Sequence, residues 1–183
     1  MNFLPTPIAG LWQVQGQPQA DARGSFQRLY CAEVFDAVMP GLCFVQANLS
    51  ITRRRGTVRG LHRLRPPAQE YKLVRCLRGQ VFDVAADLRP GSATFGRCFT
   101  LEMHEQGPMA LLIPPGVAHG FQAMCDDVQL LYQHSCAHVP ALEDGVRHDD
   151  PRLAIRWPLP VTLLSPRDQQ LPALQAADAA LSP

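Results

Sequence analysis

The sequence predicts an all-β domain, and three observations carry that reading. Proline is frequent, at 17 of 183 residues, and spread along the chain. Long stretches with the 3.6-residue period of an amphipathic helix are scarce. Short segments rich in Val, Leu, Ile, Phe and Thr recur between turn signals such as Arg65-Pro66-Pro67, Arg78-Gly79, Arg89-Pro90-Gly91, Gln106-Gly107-Pro108 and Pro114-Pro115-Gly116.

Taken in order, residues 43–52, 57–62, 71–77, 80–88, 96–104, 110–113, 120–124 and 128–134 read as strands. About eight short strands so spaced suggest a sandwich, jelly roll or barrel. Helix is confined to 32–38 and a C-terminal piece at 172–181. With no internal repeat or linker, residues 1–183 read as one domain, and the Ala- and Pro-rich tail from about 169 is expected to fray.

Several of these segments carry polar residues that need an explanation. Arg59-Gly60-Leu61-His62 closes one strand, where a strict period of two sends Arg59 and His62 to opposite faces. A bulge at Gly60 would re-aim one of them. Lys72, the one Lys among seventeen basic residues, opens another strand as an edge charge or as a compact cation for an oxyanion. In Val81-Phe82-Asp83-Val84-Ala85-Ala86-Asp87, both acids share a face with Val81 and Ala85, so that face needs water or a partner such as Arg. His119 follows the Pro114-Pro115-Gly116 turn. Tyr132 sits on a strand, where Tyr commonly lines a core, and Asp168 sits in a turn as an N-cap or exposed acid.

Composition narrows the class. Seventeen Lys plus Arg against sixteen Asp plus Glu leave a net charge of +1, which argues against bulk binding to nucleic acid or an anionic membrane. The apolar runs are far below the roughly 20 residues of a spanning helix. The N-terminus lacks a basic start and apolar stretch, so a cytoplasmic location is expected. The six cysteines form no CxxC or CxxxC pair and read as reduced, mostly buried thiols. His62 and His119 lie 57 residues apart, and His134 and His138 four apart on what reads as one strand, with no third ligand evident. No catalytic metal and no cofactor is expected.

One ordered set of motifs runs through the chain: Asp21-Ala22-Arg23-Gly24-Ser25-Phe26, Gln46-Ala47-Asn48, Arg59-Gly60-Leu61-His62, Lys72-Leu73-Val74-Arg75, Val81-Phe82-Asp83-Val84, Ala118-His119-Gly120-Phe121, Ile155-Arg156-Trp157-Pro158 and Ser165-Pro166-Arg167-Asp168. It resembles the dTDP-4-dehydrorhamnose 3,5-epimerase family over about residues 3–172. The resemblance implies a cupin-type jelly roll (a double-stranded β-helix) with a few short peripheral helices, assembled as a homodimer by strand exchange and working without metal. It also implies a substrate, a nucleotide-linked 4-keto-6-deoxyhexose, whose C3 and C5 protons are acidified by the C4 carbonyl. Inverting those centres needs a base, an acid across the ring and a cation or donor at the keto oxygen.

Residue by residue, the resemblance makes His62 the base, Asp168 its orienting carboxylate, Tyr132 the acid and Lys72 the group at the keto oxygen. Arg23 and Arg59 match diphosphate-binding positions. Phe26, Gln46, Asn48 and His119 match other substrate-lining positions. Three positions depart from the family pattern: Arg28 stands where an acid is usual, Glu70 where a Gln is usual, and His138 where an aromatic Tyr stacks on the ligand. These departures bear on substrate identity, so two rival readings stand beside a 3,5-epimerase: a single-carbon epimerase for another nucleotide sugar, and a non-catalytic binder. A metal-dependent cupin is the third rival.

Overall fold

The computed structural model describes residues 1–175. Two antiparallel sheets face each other. One runs β1 (Asn2–Pro5), β2 (Trp12–Gln15), β10 (Met109–Ile113), β7 (Lys72–Arg78), β12 (Val128–His134) and β5 (Gln46–Thr52). The other runs β13 (Glu143–Gly145), β6 (Val58–Leu64), β11 (Val117–Ala123), β8 (Gln80–Asp87) and β9 (Cys98–His104). From β5 to β13 the chain crosses between the sheets at every step except β8 to β9, which gives the jelly-roll architecture. A separate hairpin, β3 (Gln19–Asp21) and β4 (Gly24–Phe26), stands apart from both.

All eight expected strands are present, with shifted ends: β11 starts at Val117 and β6 continues to Leu64. The expected helix at 32–38 is α1 (Ala32–Asp36), anchored by Phe35, which is fully buried against Phe3, Tyr30 and Phe44. The C-terminal helix is not found over 172–175, and the rest of that segment lies outside the described residues. A one-turn helix, α2 (Pro166–Gln169), precedes it. Backbone hydrogen bonds tie residues 170–175 to the loop after β13. Pro172 accepts a bond from the Arg147 N–H, and the Leu174 N–H donates to Asp150 Oδ2 at 2.7 Å. The six cysteines are free thiols, but only Cys76 is buried, four are half-buried and Cys43 is exposed. Among the described residues no helix is long and apolar enough to cross a membrane.

The main core fills the space between the sheets, where alternate residues of β7, β10, β12, β8 and β11 meet: Val74, Cys76, Leu111, Ile113, Leu130, Val81, Ala85, Val117 and Phe121. Along β7 and β12 this inner face turns from apolar (Cys76, Val128, Leu130) to polar (Lys72, Tyr132, His134), so one end of the sandwich is a polar cleft.

A bulge shapes that cleft. Arg59 pairs with Phe121 and His62 with His119, so three steps on β6 span two on β11. Gly60 occupies the extra position at φ +108°, and a Cβ there would lie 2.6 Å from the His119 carbonyl oxygen and 2.8 Å from Gly120 Cα. Only glycine fits, and the bulge proposed from the sequence turns Arg59 and His62 to the same cavity.

The acids of β8 are resolved by pairing. Asp83 meets His119, and the fully buried Asp87 accepts from Arg89 Nη2 (2.7 Å), Ser92 Oγ (2.6 Å) and Thr94 Oγ1 (2.6 Å). Burial alone would push the Asp87 carboxyl up, but these donors hold it down to about 2.

Two outcomes follow from this geometry. Gly60→Ala is expected to destabilise the protein by roughly 2–4 kcal/mol, through positive φ and overpacking against backbone, and to abolish activity; urea denaturation with an activity assay checks it. Because the folded Asp87 lies below its ordinary value of 3.8, its stabilisation is present above that pH and lost as pH falls toward 2. The stability gap between wild type and Asp87→Asn is therefore expected to narrow by about 2 kcal/mol between pH 4.5 and pH 2, read from denaturation curves across that range.

Candidate active site

The polar end of the sandwich opens into a cavity of about 430 Å³. Its walls come from both sheets and from the segment that enters α2. His62 reaches it from β6, and Asp168 meets His62 from α2. Ser165 caps that single turn by accepting from the Asp168 N–H at 3.0 Å. Asp168 is thus neither the N-cap nor exposed, as the sequence suggested; it is 3% exposed at the third helical position.

The His62–Asp168 pair is short. Nε2 of His62 lies 2.6 Å from Asp168 Oδ1, while Oδ2 accepts from the Gly60 N–H at 3.1 Å. Burial would push the Asp168 carboxyl up, but the His62 hydrogen bond and charge, with the Gly60 and Ser165 contacts, hold it below the usual carboxylate value. An ionised carboxylate only accepts, so in the neutral imidazole Nε2 carries the hydrogen and Nδ1 keeps its lone pair.

Tyr132 on β12 faces the same cavity, its ring edge-on to His119 at 5.7 Å and stacked with His134 at 6.0 Å. Burial, with some help from Asp83 and against Arg59, pushes its phenol above the ordinary value, so it stays a protonated donor at neutral pH. His119 Nε2 lies 2.8 Å from Asp83 Oδ2, and both side chains are buried. Lys72 is not a solvated edge charge: it is 12% exposed, lies 3.2 Å from Glu70 Oε2 and donates to the His62 carbonyl at 3.4 Å.

The cavity wall carries four cations, Arg59, Arg63, Lys72 and Arg167, against three carboxylates, Glu70, Glu143 and Asp168. Each carboxylate is already engaged, Asp168 by His62, Glu70 by Lys72 and His134, and Glu143 by His138 and Arg167. Arg63 is committed to Asp144. Arg59 donates only to neutral oxygens, Thr52 Oγ1 at 2.9 Å and the Ile51 carbonyl at 3.1 Å, and has no carboxylate partner among the described residues. It is the cation left free for an anionic ligand.

Of the residues singled out from sequence, His62, Asp168, Tyr132, Lys72, Arg59, Asn48, His119 and His138 line the cavity together. Gln46 is one step back, donating to Asn48 Oδ1 at 3.2 Å and accepting from the His138 N–H at 3.1 Å. Arg23 and Phe26 are not brought to this cavity. They sit on the exposed β3–β4 hairpin, where Arg23 pairs with Asp21 and Phe26 is 78% exposed. His134 and His138, weighed as a metal pair on one strand, are separated by the end of β12 and bonded to different glutamates. Among the described residues no three His, Cys, Asp or Glu side chains are grouped to hold a metal ion.

Sequence reasoning weighed His134 only as a metal ligand, missed Glu143, and read Glu70 only as a departure from pattern. The available signals were His134 standing two residues after Tyr132, hence on its face, and Glu70 standing two before the one Lys.

The family model described as dTDP-4-dehydrorhamnose 3,5-epimerase matches residues 5–176. A Streptomyces niveus dTDP-4-dehydrorhamnose 3-epimerase is 42% identical over 185 residues, covering 100% of this chain and 89% of the relative. The crystal structure of NovW, a 4-keto-6-deoxy sugar epimerase from the novobiocin gene cluster of Streptomyces spheroides, superposes with a TM-score of 0.91 at 41% identity, covering 100% of this chain and 92% of that one. ChmJ, a 3'-monoepimerase from Streptomyces bikiniensis solved with dTDP-quinovose, gives 0.88 at 33% identity, covering 93% and 86%. The fold, the cavity and these likenesses agree: the chain belongs to the dTDP-4-dehydrorhamnose 3,5-epimerase family.

Proposed function

We propose that the protein epimerises a dTDP-linked 4-keto-6-deoxyhexose at C3, with C5 as the second centre open to the same chemistry. The observation that carries this reading is the 2.6 Å His62–Asp168 pair at a cavity that also holds Tyr132 and Lys72. The C4 carbonyl makes each neighbouring C–H acidic, because the electron pair left behind moves onto oxygen as an enolate. Nδ1 of His62 takes the proton from one face, and Asp168 stabilises the imidazolium that forms. Lys72 faces the enolate oxygen with a point charge. Tyr132 returns a proton to the opposite face, which inverts the centre, and solvent exchange through His62 and Tyr132 resets both groups. Arg59 holds the diphosphate with its uncommitted guanidinium.

Two relatives named for epimerisation at the 3-position support C3 as the primary centre. A homodimer completes the reading. The exposed Phe26 and Arg23 of the β3–β4 hairpin, and the open edge of β5 with Val45, Leu49 and Ile51 exposed beside it, are surfaces a second copy would cover. The hairpin residues matched to substrate binding would then serve the neighbouring copy's cavity.

Proton NMR of dTDP-4-keto-6-deoxyglucose with the protein in deuterated water, following H3 and H5, tests the reaction. Loss of H3 alone marks a single-carbon epimerase and loss of both a 3,5-epimerase, whereas intact signals with folded protein would sink the proposal. His62→Ala is expected to slow exchange by about 10³-fold and Asp168→Ala by about 10²-fold with the fold retained. Near-wild-type exchange in either variant would remove that residue from the mechanism.

A further inference from the structure

The strand register places Lys72 of β7 opposite His134 of β12, and His134 opposite Gln46 of β5. Glu70, two residues before Lys72, reaches into this row. Its Oε2 lies 3.2 Å from Lys72 Nζ, and its Oε1 accepts from His134 Nδ1 at 2.8 Å. All three side chains are withdrawn from solvent, at 8% exposure for Glu70, 12% for Lys72 and 13% for His134. Beyond them, His134 Nε2 accepts from Asn48 Nδ2 at 3.3 Å, and Asn48 Oδ1 accepts from Gln46 Nε2 at 3.2 Å. Every bond in the chain runs in one consistent direction, from Gln46 through Asn48 and His134 to the carboxylate.

We propose that Glu70, oriented by His134, is the positioning residue for Lys72. The inference rests on the reading above, in which Lys72 faces the keto oxygen. A lysine ammonium sits on a flexible four-carbon stem and has three donors. Glu70 Oε2 and the His62 carbonyl take two of them, which fixes the stem and leaves the third for a substrate oxygen. The second anchor is the backbone of the base itself, so Lys72 and His62 are held in one frame. Glu70 could not do this alone, because a carboxylate with one partner can swing; the His134 bond fixes its plane. The carboxylate's charge opposes an enolate nearby, and the compensation is a cation already in place when charge develops.

The test is a cycle of Glu70→Gln and Lys72→Met, singly and together, in the full-length protein. Exchange at C3 is followed by NMR under saturating substrate, dTDP affinity by calorimetry and folding by thermal melts. Glu70→Gln is expected to lower kcat for exchange about 10- to 50-fold and leave dTDP affinity within about twofold, and to change the rate less than about twofold once Lys72 is Met. A merely structural role would instead slow both backgrounds by the same factor or weaken dTDP binding, and either result overturns the inference. His134→Leu supplies a second route should Glu70→Gln fold poorly: a smaller slowing, equally silent in the Lys72→Met background. Wild-type exchange with additive variants overturns this inference and leaves the epimerase reading standing; no wild-type exchange fells both.

Discussion

Backbone meets backbone where Gly60 of β6 lies against Gly120 of β11, and the active site depends on that approach. A Cβ on either residue would fall within 2.8 Å of neighbouring atoms. The bulge it permits does two things at once. It brings Arg59 and His62, three residues apart, to one cavity where a regular strand would separate them. It also turns the Gly60 N–H toward Asp168 Oδ2, giving the carboxylate beside His62 a second donor. One local distortion therefore aims the proposed base and anchors the carboxylate paired with it.

Around that frame the charges are distributed by a simple rule: each carboxylate lining the cavity is answered by an imidazole. Asp168 has His62, Glu70 has His134 and Glu143 has His138, while Asp83 behind the wall has His119. An uncompensated carboxylate in such a cleft would be costly and would repel an anionic ligand. With every carboxylate engaged, Arg59 is left to act on that ligand as an unneutralised cation. On the proposed reading, proton transfer and anion binding thus fall to separate groups within one small cavity.

Much of the fold was legible because its turns are chemically marked. Pro-Pro and Arg-Gly signals delimit strands long enough to show β-rich composition, and all eight were located. The five strands that escaped notice are short. β1 ends in Pro5, β2 is four residues, β3 and β4 are three residues each, and β13 is Glu-Asp-Gly, a run with little strand propensity. A four-residue helix such as α2 is shorter than any helical period can reveal. At the site, the roles of His62, Asp168, Tyr132 and Lys72 came from the family resemblance, because a lone polar residue on a strand has no periodic signature. The Glu70–His134 contact joins residues 64 apart, and only the register of β7 against β12 creates it. Arg23 and Phe26 show the converse: a motif match identifies residue types without saying that one chain brings them to one cavity.

On the proposed reading, the residue type at position 72 is itself a geometric requirement. Sixteen of the seventeen basic residues are Arg, so a lysine here runs against the composition of the chain. A guanidinium is a planar fork suited to gripping one carboxylate with two parallel bonds. At position 72 it would close on Glu70 and spend its donors in that plane. A tetrahedral ammonium divides its three donors among separate directions: Glu70 on one side, the His62 carbonyl on another and the cavity on the third. So read, the site needs a cation tied down by two partners yet still offering a hydrogen to a third, and of the two common cationic side chains only lysine has that shape.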